Sequence, residues 1–291
     1  MCKVNPRVDF AFKLLFGKEE NKDILIDFLN AILAEEPKIK DLQLKNPYNY
    51  KTYKFDKGSI MDIKAKDEYG RWINIEMQIA DQEYYDKRAL YYWARMYVGQ
   101  LSEGVNYDFL TKTININILN FNAIEDETDY HNKFKILNIE SNNELLDHLE
   151  IHFIELGKFT KELSQLSTAM DRWIAFLKNA DKYDREYIPD ELAEVETINK
   201  ANTLLDTISL TSDEREFYEA KLKWLRDEEA AIKTALNKGL RQGREEGRKE
   251  GRKEGEDGKA FEIAKNLLDV LDDETIALKT GLSKDDIKKL R

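Results

Sequence analysis

Residues Arg71 to Ala80 read RWINIEMQIA, and Ile60 to Lys66 just before them read IMDIKAK. Both alternate apolar and polar residues with a period of two, the pattern of a β-strand whose successive side chains fall on opposite faces. In the second segment Ile73, Ile75, Met77 and Ile79 share one face, and Trp72, Asn74, Glu76 and Gln78 share the other. In the first, Met61, Ile63 and Ala65 oppose Asp62, Lys64 and Lys66. Glu68-Tyr69-Gly70 between them is a loop of favoured hairpin length, with a glycine free to take the left-handed position. Such a loop pairs Asp67 with Arg71 and, continued along both strands, Asp62 with Glu76. A slip of one residue would mix the apolar and polar faces, so the pattern itself selects this register.

Two carboxylates facing each other across a ladder repel unless something positive lies between them. An oxygen-rich pair of this kind suits Mg²⁺ or Mn²⁺, which keep several waters and bind phosphate oxygens. Such an ion can activate water and stabilise the charge that develops during phosphodiester cleavage. The same residues also fit a plainer reading, two exposed acids on a hairpin face neutralised by Lys64 and Arg71.

Working outward, Asp9 to Phe16 (DFAFKLLF) and Asn21 to Leu33 (NKDILIDFLNAIL) carry apolar residues at helical spacing, with Gly17 as a stop between them. Asp86 to Leu101 predicts a helix with a broad apolar and aromatic face, and Thr113 to Phe121 (TININILNF) predicts another strand. After Pro37 a strand-like region follows, broken by Pro47 and Gly58, so the order is helix, strand, strand, strand, helix, strand. After an acidic loop at Glu125 to Asp129, strands are expected over Lys133 to Ile139 and Leu149 to Ile154, then helices from Leu163 to about Trp224. Glycine then falls at 239, 243, 247, 251 and 255. As a helix this stripe would let backbones approach closely and favour a homo-oligomer. Each internal glycine costs about 1 kcal/mol relative to alanine, so a charged, partly flexible linker fits as well. Ala260 to Arg291 reads as short helices with Gly281 in a turn. It resembles a helix-turn-helix, with Ser283 as a cap, but has six Lys/Arg against seven Asp/Glu and so no basic face.

The 291 residues are 42% apolar and 11% aromatic, enough for a real core, and 35% charged with a net charge of −11. Cys2 is the sole cysteine, which excludes a disulfide framework and a thiolate metal cluster. The N-terminal residues lack an apolar stretch of signal-peptide length, and no apolar run approaches a membrane span, so a cytoplasmic protein without membrane contact is expected. The acidic total opposes a nucleic-acid partner, but its distribution is uneven. From Lys38 to Lys66 eight lysines stand against three aspartates, with Tyr48, Tyr50, Tyr53 and Phe55 interleaved. That combination tracks a nucleic-acid backbone, or protects an edge strand from aggregation. His148 and His152 have zincin spacing, yet HLEIH lacks the glutamate after the first histidine. No GxSxG elbow and no GxxxxGK[ST] loop is present.

Asp62, thirteen intervening residues and then Glu76-Met77-Gln78 resemble the D…ExQ variant of the PD-(D/E)XK nuclease motif. Asp9-Phe10-Ala11-Phe12-Lys13 with Leu15-Phe16-Gly17, Arg88 with Tyr91 and Tyr92, and Ile151 to Leu156 (IHFIEL) resemble the recombination-promoting nuclease and putative transposase family. The resemblance covers roughly the first 160 residues. It implies an α/β, restriction-endonuclease-like core, a mixed central sheet flanked by helices, followed by a mainly helical C-terminal region. The expected divisions are 1–160 for the nuclease-like domain, 161–237 for a helical region, 238–259 for the glycine and charge repeat, and 260–291 for a small helical tail.

The resemblance further implies Asp62 and Glu76 as ligands of Mg²⁺, with Mn²⁺ or Ca²⁺ as alternatives, and the Met77 carbonyl as a third ligand. Gln78 stands where the superfamily carries lysine, and offers a neutral hydrogen bond in place of a charge. Asp9 either supplies the acid from the first helix or caps that helix. Arg88 and Tyr92, with Lys64, are placed as substrate-binding residues; the plainer reading of the first two is a surface charge beside a core aromatic. The implied function is a metal-dependent DNA endonuclease linked to recombination or mobile elements. The competing expectation is a nuclease-derived module that binds DNA or protein without cutting.

Overall fold

The computed structural model describes residues 4–45, 63–79, 81, 83–183, 187–208 and 210–290. Asp62, and with it the lysine- and tyrosine-bearing stretch 46–62, lies outside the described residues.

The sheet is organised around the hairpin of β2 (Ile63–Asp67) and β3 (Trp72–Gln78). Its pairs are Ile63 with Ile75, Lys64 with Asn74, Ala65 with Ile73 and Lys66 with Trp72, the register expected from the loop length and the alternation. Gly70 takes φ +83° in the loop, where a side chain would be strained. Asp67 fixes the turn: its Oδ1 accepts from the backbone N–H groups of Tyr69 (3.0 Å) and Arg71 (2.9 Å). Arg71, only 5% exposed, donates to Asp67 Oδ2, to Glu36 Oε2 and to the Pro37 carbonyl. The arginine expected as a surface counter-charge is therefore a buried bolt between the turn and the segment after the second helix.

β1 (Leu42–Leu44) pairs antiparallel with β2 at one edge. β3 is followed by α3 (Tyr85–Val98), which crosses over to β4 (Thr113–Leu119), and β4 lies parallel to β3. β6 (Leu149–Glu155) is parallel to β4, and β5 (His131–Phe134) closes the far edge antiparallel to β6. The order across the sheet is β1-β2-β3-β4-β6-β5. This is a mixed six-stranded sheet, with a parallel centre built by the crossover and antiparallel edges. β5 stops short of the predicted Ile139 because Asn138 reverses the chain: its side chain accepts from the N–H groups of Glu140 and Ser141, leaving Leu137 a single bridge to Glu144.

One face of the sheet, carrying Ile73, Ile75, Met77, Ile114, Ile116 and Ile118, packs on α1 (Asp9–Phe16), α2 (Lys22–Ile32), α4 (Ala169–Asn179) and α6 (Glu196–Thr207). The short α5 (Asp190–Ala193) leads into α6. Phe28 lies between Phe16 (centroids 5.0 Å apart) and Trp173 (5.3 Å), and the Trp173 indole donates to Asp27 at 2.9 Å. The same apolar core thus runs on past residue 160 into the helical region. On the opposite face α3 and β6 bury a smaller cluster of Tyr85, Ala89, Leu149, Ile151 and Phe153.

The glycine repeat is helical throughout, inside α7 (Ser212–Leu267). Exposed pairs such as Arg252–Glu256 (2.8 Å) support it at i, i+4 spacing. Two compact units divide at residue 226. In the second, Ala264, Ile276 and Ile287 form the core of a small unit with α8 (Asp273–Thr280) and α9 (Lys284–Leu290). Gly281 ends α8 at φ +77°, and Ser283 accepts from the Asp286 N–H as the expected cap. No described helix is long and apolar enough to cross a membrane.

Arg71→Ala is expected to cost about 3 kcal/mol, because it leaves the buried Asp67 carboxylate without its cation, while Glu36 keeps Lys112. Urea unfolding followed by circular dichroism measures the loss.

Candidate active site

Glu76 sits on β3 in the middle of the sheet with 3% exposure. Its carboxylate Oε1 accepts from the Asn74 amide at 3.0 Å, and the same nitrogen donates to Asn115 Oδ1 at 2.9 Å. The parallel register sets Asn74 beside Asn115 and Glu76 beside Asn117. Asn115 donates to the Ala89 carbonyl of α3, Asn117 donates to the His152 carbonyl of β6, and the Tyr85 hydroxyl donates to Asn117 Oδ1. The polar halves of both alternating strands are thus buried beneath α3 and tied together by amides. Asn74 Oδ1 is buried and has no hydrogen-bond partner among the described residues. A buried carboxylate beside an orphaned amide oxygen is a hard-oxygen donor set, the chemistry that Mg²⁺ and Mn²⁺ take.

The other predicted residues fall around this face or at the end of β3. Arg88 lies over the rings of Tyr92 (5.1 Å) and Tyr85 (5.6 Å); Tyr92 itself is 4% exposed, so its ring supports the guanidinium from the interior. Lys64 is the cross-strand neighbour of Asn74. Burial holds its ammonium below the usual lysine range, and the nearby charges of Arg95 and Lys45 add to the effect.

Asp9, Met77 and Gln78 line a cavity of about 440 Å³ at the end of β3, together with Ile79, Phe217, Lys221 and Trp224. Asp9 is the first residue of α1, and Val8 holds the cap position, so the capping alternative does not apply. Asp9 Oδ1 accepts from the Phe10 N–H at 2.8 Å, and Oδ2 lies 3.7 Å from the Lys221 ammonium. Lys221 and Trp224 were invisible to sequence reasoning: they belong to a helical run far along the chain, and no local motif marks them. Together they place a cation and a half-exposed indole beside Gln78.

A second acidic group, Glu36, Asp147 and Glu150, has the spacing of a metal site. Lys112 already occupies its centre, with Nζ 2.5 Å from Glu36, 2.8 Å from Asp147 and 2.8 Å from Glu150. Glu150 also accepts from His152 at 2.7 Å, and His152 shares a 2.8 Å hydrogen bond with His131. His148, by contrast, bonds the Tyr97 hydroxyl, so the two histidines of HLEIH serve different neighbours.

A family model described as PD-(D/E)XK nuclease family transposase matches residues 6–235. No curated protein and no solved structure matches the chain.

The Glu150–His152–His131 chain generates a prediction for acid stability. Burial, with the neighbouring His152 and Lys133, lowers His131 from 6.5 to about 4. Burial pushes Glu150 up, but the hydrogen bonds and charges of His152 and Lys112 outweigh it and bring the carboxyl from 4.5 down to about 2. Both groups bind fewer protons folded than unfolded in these windows. Stability is therefore full above pH 6.5, falls through His131 between 6.5 and about 4, and falls through Glu150 between 4.5 and about 2. In urea titrations at fixed pH, His131→Gln is expected to flatten the upper part of that decline and leave the lower part.

Proposed function

The chain belongs to the PD-(D/E)XK nuclease family transposases, and we propose that it is a metal-dependent endonuclease that hydrolyses phosphodiester bonds in DNA, in a recombination or mobile-element setting. The observation that carries this reading is the buried Glu76 carboxylate, held by Asn74 next to an unsatisfied amide oxygen. Asp62 is the second carboxylate of the proposal. Asp62 lies outside the described residues, and its part in the proposal rests on the D…ExQ resemblance and on the sequence alternation, which the described pairs follow. Asp62, Glu76 and the Met77 carbonyl would hold the cation, with Mg²⁺ the first choice and Mn²⁺ or Ca²⁺ as alternatives. When bound, a divalent cation supplies Lewis acidity and lowers the pKa of a coordinated water.

The remaining roles fall to the side chains. Asn74 orients the Glu76 carboxylate through its 3.0 Å hydrogen bond. Gln78 offers an amide to water or phosphate but no charge. Lys221 brings an ammonium into the cavity that Gln78 lines, on the side of Asp9. Lys64 and Arg88 present positive charge to the phosphates next to the scissile one, and the Tyr92 ring helps hold the Arg88 guanidinium in place. A cytoplasmic location is part of the same proposal, since that is where the DNA substrate is met.

Plasmid nicking by the purified protein in Mg²⁺, Mn²⁺ or EDTA tests the proposal. Cutting is expected with metal and absent in EDTA, and Glu76→Ala and Asp62→Ala should each lower the rate about a hundredfold or more, the scale of losing one preorganised electrostatic group. Cutting that persists at the wild-type rate in folded Glu76→Ala would sink it.

A further inference from the structure

Trp72 lies on the same face of β3 as Glu76, at the start of the strand. Three ammonium groups gather on its half-buried ring: Lys64 at 4.7 Å from the centroid, Lys66 at 5.2 Å and Lys45 at 5.7 Å. They come from two strands, since Lys45 directly follows β1 and donates its backbone N–H to the Lys64 carbonyl at 2.7 Å.

Like charges so close together cost free energy. In a chain of net charge −11 the grouping does not follow from overall composition. Elsewhere the chain surrounds its cations with acids: Lys112, Lys133 and Lys135 each pair with carboxylates. Among the described residues, no ion pair engages Lys45 or Lys66. Protection of an edge strand would account for Lys45 at the end of β1 but not for Lys64 and Lys66, which belong to β2, an interior strand. A polyanion would offset the charge of the Lys45 and Lys66 ammonium groups at the ring.

We infer that Lys45, Lys64 and Lys66, gathered around Trp72, form a surface that grips the phosphodiester backbone of the nucleic acid beside the Glu76 site. The inference rests on the reading of that site as a nuclease centre, and adds where its substrate lies. Lys64 stands opposite Asn74, which bonds Glu76, so one face of the sheet leads from the cluster to the carboxylate. Trp72 acts as a positioning residue. Cation–π attraction holds long, flexible lysines in one place, so less side-chain entropy is lost when phosphate binds. The ring is half-buried and its surroundings are occupied by ammonium groups, which suits backbone contact rather than base stacking.

The test is fluorescence-anisotropy binding of a short labelled DNA duplex in EDTA, where no cutting interferes, over a series of salt concentrations. Lys45→Gln/Lys66→Gln is expected to reduce the slope of log K against log salt by about 2, near one for each phosphate left without its cation. Lys182→Gln, on the short turn after α4, should leave the slope unchanged. Trp72→Ala should weaken binding with the slope retained, and Trp72→Phe should restore most of it; circular dichroism melts confirm that each variant is folded. A single strand and an RNA duplex as competitors identify which source of backbone is preferred, the lysine dependence being shared. An unchanged slope in the double variant overturns the inference, and so does the absence of salt-dependent binding to all three nucleic acids. Nicking by Glu76→Ala, measured in parallel, separates the two proposals. Loss of nicking with an unchanged slope leaves the active site standing and removes the surface; a reduced slope with nicking intact does the reverse.

Discussion

Shutting a carboxylate away from water costs several kcal/mol unless hydrogen bonds or a positive charge compensate it. Glu76 imposes that requirement at the centre of the sheet, at 3% exposure. Much of the surrounding architecture answers it. Asn74 and Asn115 are joined across β3 and β4, Asn117 is tied to β6, and Tyr85 and Ala89 close the face from α3. None of these amides could be replaced by an isoleucine, the residue that fills the other face of the same strands, without leaving its partner buried and unsatisfied. The crossover helix is thus held by polar bonds near the middle of the sheet and by apolar contacts with Leu119, Phe121 and the residues of β6.

The same requirement is met differently at the far end of the strands. Glu36, Asp147 and Glu150 converge on Lys112, and Glu36 also accepts from Arg71. Three acids and a buried ammonium make a rigid junction between the α2 exit, the start of β4 and the start of β6. A cluster so furnished has its cation as part of the chain. Around Glu76 a described hydrogen bond comes from the neutral Asn74 amide.

The hairpin was legible because turn chemistry and alternation agree: Asp67, Gly70 and the Ile/Asn pattern admit a single register. The alternation of TININIL was legible as a strand but misleading about its surroundings. A period of two normally signals one wet face, yet all seven residues are buried, because the asparagines are satisfied by α3 and β6 rather than by water. Nothing local announces such a network; it exists only once helix and strands have met. Lys221 and Trp224 illustrate the same limit, since their place beside Asp9 and Gln78 is set by tertiary packing. For the glycine repeat, propensity and charge pairing pull in opposite directions, and sequence alone left helix and linker level; the chain takes the helix.

The turn at Asp67 and Arg71 also shapes the order in which the chain assembles. β2 and β3 are neighbours in sequence, so their pairing closes a very short loop and lies within reach of an early, fast event. β4 joins β3 only after α3 has crossed over, and β6 joins after a further excursion through β5. Through the first of these stages Glu76 remains hydrated on an open hairpin, and the free energy of burying it falls due when α3 and β4 dock. The step that completes the candidate site is therefore also the step that must overcome its largest electrostatic cost, which makes the docking of α3, rather than the zipping of the hairpin, the natural barrier to folding.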